Sequence, residues 1–196
     1  RHVHNLQGFG QSVVVVFNRF ATDTDEEMAL LKTHCEETLK APFVINNAYA
    51  EGGKGAEEMA HLVVDTIENN PSQPLKFTYD DNDDLRTKIE KVAKNIYGAA
   101  SVTFAKPALN HIKQAEALGM NTCPVCIAKT QFSFSADAKR YGAVEGFDFL
   151  IRDVVLNAGA EMVVAIAGDI LRMPGLPRDP QANHIDYVDG EIIGLS

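Results

Sequence analysis

Hydrophobic and polar positions along this chain switch between two periods, and the switches mark its elements. "SVVVVFN" (Ser12–Asn18) is a short β-branched run of the kind that forms a strand buried on both faces. The period then lengthens. Met28, Leu31, Cys35 and Leu39 recur at helical spacing, and Thr24 with Glu27 three residues on is a capping box that starts a helix near Thr24. "PFVIN" (Pro42–Asn46) predicts a second strand. After "EGGKG", Met59, Leu62, Val63, Thr66 and Ile67 share one helical face. "PLKFTY" (Pro74–Tyr79) predicts a strand. Leu85, Ile89, Val92, Ala93 and Ile96 then form the inner face of a helix that Gly98 stops. "SVTF" (Ser101–Phe104) is strand-like, Pro107 suits the first turn of a helix that Gly119 ends, and "PVCIA" is strand-like again.

Strand and helix alternating at this pace predict parallel βαβ units with helices on both faces of the sheet. The fold class expected is three-layer α/β with a mostly parallel sheet. The later part differs. "FDFLIRDVVL" alternates Phe147, Phe149 and Ile151 against Asp148 and Arg152, and "EMVVAIAGDI" is an apolar run. With no helix between them, they are expected to pair as an antiparallel C-terminal extension. "MPGLP" (Met173–Pro177) predicts a rigid turn. No repeat, low-complexity tract or linker interrupts the pattern, which predicts a single domain over residues 1–196.

Composition narrows the function classes. The chain carries 27 acidic against 18 basic side chains, a formal net charge of −9, which disfavours phosphate backbones and makes nucleic acid an unexpected partner. No apolar run approaches the roughly 20 residues that span a bilayer, so no membrane partner is expected. Three cysteines, an odd count, and no signal-peptide pattern point to a reducing, cytoplasmic setting. The chain begins with Arg1 and reaches a core-type strand by its eleventh residue, which suggests a piece of something longer.

Several stretches invite a chemical interpretation that spacing then weakens. Cys123 and Cys126 form a C-x-x-C. A redox pair needs its first thiol at a helix N-terminus, whereas Val125–Ala128 look like a strand, on which side chains three apart point to opposite faces. Zinc needs a second ligand pair, and the sequence has none nearby. Two small residues flanking a core strand is the favoured interpretation. "EGGKG" lacks the G-x-x-x-x-G-K-[ST] spacing of a phosphate loop, and is favoured as a tight turn into a helix. "DDNDDL" has Leu85 and Lys91 where a calcium loop needs glycine and glutamate, so its carboxylates are expected to serve a helix N-terminus. The six histidines share no motif, and no G-x-S-x-G or H-E-x-x-H occurs. No metal site is expected.

Aromatics at strand ends are more informative. Phe20 lies two residues past the first strand and Tyr49 three past the second. In a parallel sheet both stand at carboxyl ends on one edge, where open α/β sheets bind ligands. Two such rings can clamp a flat heterocycle, although aromatics at such positions more often simply pack.

Long ordered anchors then carry a resemblance: "FGQSVVVVFNRFATDTDEE", "YAEGGKG", "KIEKVAKNIYGAASV", "CPVCIAKTQFSFS", "VVLNAGAEMVVAIAGDILRMPGLPRDPQANHID" and "DGEIIGLS". Over essentially its whole length the chain resembles the formate–tetrahydrofolate ligase family. The resemblance implies an enzyme that uses ATP with magnesium to activate formate as formyl phosphate. The tetrahydrofolate amine then attacks it, giving 10-formyltetrahydrofolate, ADP and phosphate. It also implies homo-oligomers and a response to a monovalent cation. Family chains are longer, and their phosphate loop and formate-holding basic residues lie N-terminal to the matched part. This sequence is therefore expected to be the C-terminal portion, with residues 1–20 near the junction. On that expectation it holds no catalytic residue and is inactive alone. The resemblance places Phe20 and Tyr49 where the family stacks the pterin between a phenylalanine and a tryptophan, so Tyr49 is a departure. Ile45 is the matching candidate for a pocket wall. Lys129, Thr130 and Gln131 belong to the family signature but receive no role from it. The alternative expectation is a non-catalytic structural or interaction module derived from this family.

Overall fold

The computed structural model describes residues 1–170 and 178–194, so the predicted turn at Met173–Pro177 lies outside the described residues. Element order is α1 (His2–Gly8), β1 (Val15–Asn18), α2 (Asp25–Thr33), β2 (Phe43–Asn46), α3 (Ala48–Glu51), α4 (Glu57–Asn69), α5 (Leu85–Asn95), β3 (Ser101–Phe104), α6 (Lys106–Ala117), β4 (Val125–Ala128), β5 (Asp148–Asn157), β6 (Met162–Ala167), β7 (Asp186–Val188) and β8 (Glu191–Ile193). The class is mixed α/β, as the alternating periods predict.

Local signals formed as their chemistry dictates. The Thr24 Oγ1 accepts from the Glu27 N–H while the Glu27 carboxylate accepts from the Thr24 N–H, closing the capping box at the start of α2. That helix runs on as one π-helical turn, His34–Thr38, closed by the Leu39 N–H on the His34 carbonyl. Asp84 caps α5 by accepting from the Thr87 N–H at 2.7 Å. Gly98 and Gly119, at φ +82° and +74°, take the left-handed turns that follow α5 and α6.

The strands form three sheets. β1 and β2 pair in parallel, with Val15 opposite Phe43 and Asn18 opposite Asn46. A four-stranded sheet has the order β3-β5-β6-β4, with β3–β5 and β4–β6 parallel and β5–β6 antiparallel. β7 and β8 make a small antiparallel hairpin. The predicted antiparallel pair is therefore present as β5 and β6, but it stands in the centre of the larger sheet and not beyond its edge.

Alternation along β5 and β6 buries Phe149, Ile151, Val154, Val163, Ala165 and Ala167 on one side. Leu85, Ile89 and Ala93 of α5 and Ala108, Ile112 and Ala115 of α6 join the same cluster. Both helices thus cover one face of this sheet, while Leu150 on the opposite face is exposed. The α/β class holds, and within this four-stranded sheet the two helices share one face. Periodicity shows that a face is apolar; it does not show on which side of a sheet a helix lands.

Two further expectations are corrected. Pro74–Tyr79 is not a strand: Leu75 and Phe77 are exposed, and the Gln73 and Lys76 N–H groups donate to the Gly10 and Phe9 carbonyls at 2.8 and 3.0 Å. β1 is not buried on both faces, since Val16 and Asn18 are exposed. The helix predicted after "EGGKG" is present as α4, with Met59, Leu62 and Thr66 half-buried and Val63 and Ile67 exposed. An additional helix, α1, preceded the first predicted element.

Candidate functional site

The parallel register of β1 and β2 sets their carboxyl ends side by side at Asn18 and Asn46. Asn46 Nδ2 donates to Asn18 Oδ1 at 2.9 Å, and Asn46 Oδ1 accepts from the Ala48 N–H at 3.1 Å. One amide therefore ties the two strand ends together and starts the turn that carries Tyr49. Beyond β1, the Arg19 N–H extends the ladder to the Asn46 carbonyl at 3.0 Å, and Asp23 accepts from the Phe20 N–H at 2.7 Å. The Asp23 N–H in turn donates to the Phe20 carbonyl at 3.1 Å, and this reciprocal turn fixes the backbone from which the Phe20 ring projects.

On the β2 side, the chain enters α3 and then a 3₁₀ turn, Gly52–Ala56. Gly52, at φ +62° and ψ −145°, is in a region essentially reserved for glycine. Gly55 is required for a different reason. Its carbonyl accepts from the Asn47 N–H at 3.0 Å, and a Cβ on Gly55 would lie 2.5 Å from the Asn47 carbonyl carbon. "EGGKG" is thus a compact turn folded back on the base of the Tyr49 helix.

The two predicted aromatics meet. The Phe20 and Tyr49 ring centroids lie 5.2 Å apart with planes inclined at 60°. Both are open to solvent, Tyr49 at 81% exposure and Phe20 at 49%. A flat ring sandwiched between two faces needs them about 7 Å apart, two van der Waals layers, and nearly parallel. The pair is closed on itself in this conformation. A ligand entering the slot has to part the rings and replace their mutual contact. Ile45 does not join them: it lines a separate hollow of about 330 Å³ with Met28, Phe43 and Val44, between α2, β2 and α4. The predicted pair is brought together and the predicted wall is not.

The remaining sequence candidates take structural places. Asp84 is the α5 cap, and Asp83 pairs with Lys91 on the same helix. Those bonds hold both carboxyls below the usual range, the Lys91 hydrogen bond leading for Asp83 and the Thr87 N–H for Asp84. Cys126 sits on β4 on the exposed face, whereas Cys123 precedes the strand and packs against the core. Both are free thiols, as is buried Cys35, whose pKa is raised by burial and then by Glu36. Among the described residues no group of three or more His, Cys, Asp or Glu side chains converges.

Lys88 escaped the sequence reasoning, and Lys129 was named there without a role. Lys88 is 1% exposed, and its Nζ donates to the Thr122 and Cys123 carbonyls at 2.7 and 3.3 Å above the Tyr79 ring. It anchors the turn that holds the first cysteine. Its place three residues after Leu85 on the buried helical face was the only available signal. Lys129 lies at the carboxyl end of β4 and donates to the Thr130 carbonyl at 2.8 Å and to the Ser133 carbonyl.

The chain is of the mixed α/β class, with two aromatic rings in contact at the carboxyl edge of a parallel strand pair. The family profile for formate–tetrahydrofolate ligase matches residues 1–196. The chain is similar to the formate–tetrahydrofolate ligases of Bacteroides thetaiotaomicron (63% identity) and Parabacteroides distasonis (57%), each covering 100% of this chain and 35% of the relative. The ligase of Campylobacter concisus is 46% identical over the same share. The chain belongs to the formate–tetrahydrofolate ligase family. It spans about a third of the length of these relatives.

Proposed function

We propose that this chain is the C-terminal portion of an ATP-dependent ligase joining formate to tetrahydrofolate through formyl phosphate, and that its part is to hold the pterin. The observation that carries this is the meeting of Phe20 and Tyr49 at the carboxyl edge of β1 and β2. The slot offers apolar ring faces and no carboxylate, histidine or lysine side chain of its own. Its contribution is therefore orientation of the folate amine toward an acyl phosphate generated elsewhere. Residues 1–196 act as one domain, with residues 1–20 leading from the nucleotide-binding part, and the enzyme works in the cytoplasm as a homo-oligomer. ATP with magnesium and the monovalent cation belong to that other part. Alone, this chain is inactive.

The test is fluorescence titration of the full-length ligase with tetrahydrofolate. Phe20→Ala and Tyr49→Ala are each expected to weaken binding about tenfold, the loss of roughly 1–1.5 kcal/mol of stacking. Tyr49→Trp, with a larger face, is expected to tighten it. Binding indifferent to both alanine changes would sink the assignment and favour a structural module.

A further inference from the structure

The family signature "KTQFSFS" has a structural consequence separate from the aromatic slot. Ser133 and Ser135 are buried and their hydroxyls are 2.9 Å apart. Ser133 Oγ accepts from the Ser135 N–H at 3.0 Å, and Ser135 Oγ accepts from the Asp137 N–H at 3.1 Å. Thr130 Oγ1 accepts from the Phe132 N–H at 3.3 Å. Side-chain oxygens thus replace a backbone ladder and hold this loop in one shape. The shape borders an open pocket of about 600 Å³, lined by Arg1, His2, Tyr97, Lys129, Phe132 and Phe134 among others.

The charge in this cavity is one-sided. No Asp or Glu lines it, in a chain with a net charge of −9. Lys129 Nζ uses two of its three protons on the Thr130 and Ser133 carbonyls and stands 5.0 Å from the Tyr97 ring centroid. No carboxylate lies within ion-pair distance of it among the described residues. Burial pushes its pKa below the ordinary lysine value, with no anion to offset it. Arg1 pairs with Glu145 through one terminal nitrogen, but its buried Nε has no acceptor among the described residues. The partly desolvated Lys129 ammonium thus has no carboxylate beside it among the described residues, and Arg1, paired with Glu145, keeps one buried N–H without an acceptor. Phe132 and Phe134 add apolar surface, Phe134 packing on His2 at 5.0 Å.

We propose that the Lys129 cavity binds a small organic oxyanion, a carboxylate or phosphate attached to a flat apolar body, with Lys129 and Arg1 on the anion and Tyr97, Phe132 and Phe134 on the body. The site shares no residue with the Phe20–Tyr49 slot and does not rest on the folate assignment.

The test is residue-resolved acylation of lysines, followed by mass spectrometry, in the complete polypeptide that carries this chain. Probes are benzoate, phenyl phosphate, inorganic phosphate and the neutral control benzyl alcohol. Benzoate or phenyl phosphate is expected to slow acylation of Lys129 at least about fivefold at saturation, as occupancy above four-fifths requires. Benzyl alcohol is expected to leave the rate unchanged. The better-protecting aryl anion distinguishes a carboxylate ligand from a phosphate one. Phe132→Ala, at an exposed ring, is expected to weaken phenyl phosphate severalfold more than inorganic phosphate. Lys129 acylation unaffected by either aryl anion, or slowed equally by benzyl alcohol, would overturn the proposal. Because the readout is on the wild-type residue, the result stands even if Lys129→Gln fails to fold.

Discussion

Gly53 and Gly55 lie two residues apart in the same turn, yet substitution should separate them cleanly. A methyl group on Gly55 would lie 2.5 Å from the Asn47 carbonyl carbon, 2.6 Å from its oxygen and 2.8 Å from the Ala48 nitrogen. All three are backbone atoms, so no flexible side chain can give way. Carbon–carbon contact is comfortable near 3.5 Å, which leaves an overlap of about 1 Å. Relief requires shifting the 3₁₀ turn off the start of α3 and loosening the Asn47 N–H bond to the Gly55 carbonyl. Overpacking of this kind costs about 1–3 kcal/mol, and the hydrogen bond adds about 1 kcal/mol. Gly55→Ala should therefore lower stability by about 2–4 kcal/mol. A Cβ on Gly53 meets nothing within 4 Å, and its φ lies outside the left-handed region. Gly53→Ala should be neutral or stabilising by up to about 1 kcal/mol, because alanine restricts the unfolded chain. Urea unfolding of the two variants in parallel, with the m-value checked for constancy, measures the difference. A gap below about 0.5 kcal/mol would refute the steric account of the turn.

Asp84→Ala should cost about 1 kcal/mol at neutral pH through loss of the α5 cap. The folded pKa of Asp84 is depressed by its bonds from Thr87, so its stabilisation is present above the unfolded value near 4 and is lost as pH falls through the folded value. Wild type and variant should converge in acid, and a gap that persists unchanged at pH 2 in urea titrations would contradict the capping role. Lys88→Met keeps the buried stem but not the two carbonyl bonds, and should destabilise by about 1–3 kcal/mol, less than Lys88→Ala; equal losses by thermal unfolding would argue against packing of the stem. Among the thiols, exposed Cys126 should react with a disulfide reagent well before buried Cys35, and the reverse order in single-cysteine variants would show that the π-helical turn opens readily.

Much of the local structure was readable because its causes are local. Thr24 and Glu27 need only three residues to close a capping box, and Asp84 needs only the first turn of its own helix. The strands Ser101–Phe104 and Val125–Ala128 show as short apolar runs between helical periods. The aromatic pair was readable one step further out. Positions just past two strands share an edge if those strands are parallel, and the helix between them makes a parallel pairing the natural one. The resemblance turned that edge into a folate hypothesis.

The misplaced elements share one physical reason. Pro74–Tyr79 has the composition of a strand, but a strand exists only when a partner accepts its ladder, and its N–H groups instead meet the turn after α1. The apolar stripe of α4 is real in the sequence, yet among the described residues it covers only part of what it could.

By itself, then, the sequence determined the element types, the helix caps, the family and the two rings at one sheet edge, since each depends on a few neighbouring residues or on a long ordered match. Tertiary structure alone decided that β5 and β6 enter the middle of the larger sheet and that both helices share one of its faces. It also decided that, among the described residues, Lys88 is buried with no carboxylate at ion-pair distance and Lys129 lines a pocket without carboxylates. These depend on contacts between residues tens of positions apart, whose geometry is fixed by packing and not by the periodicity of any one segment.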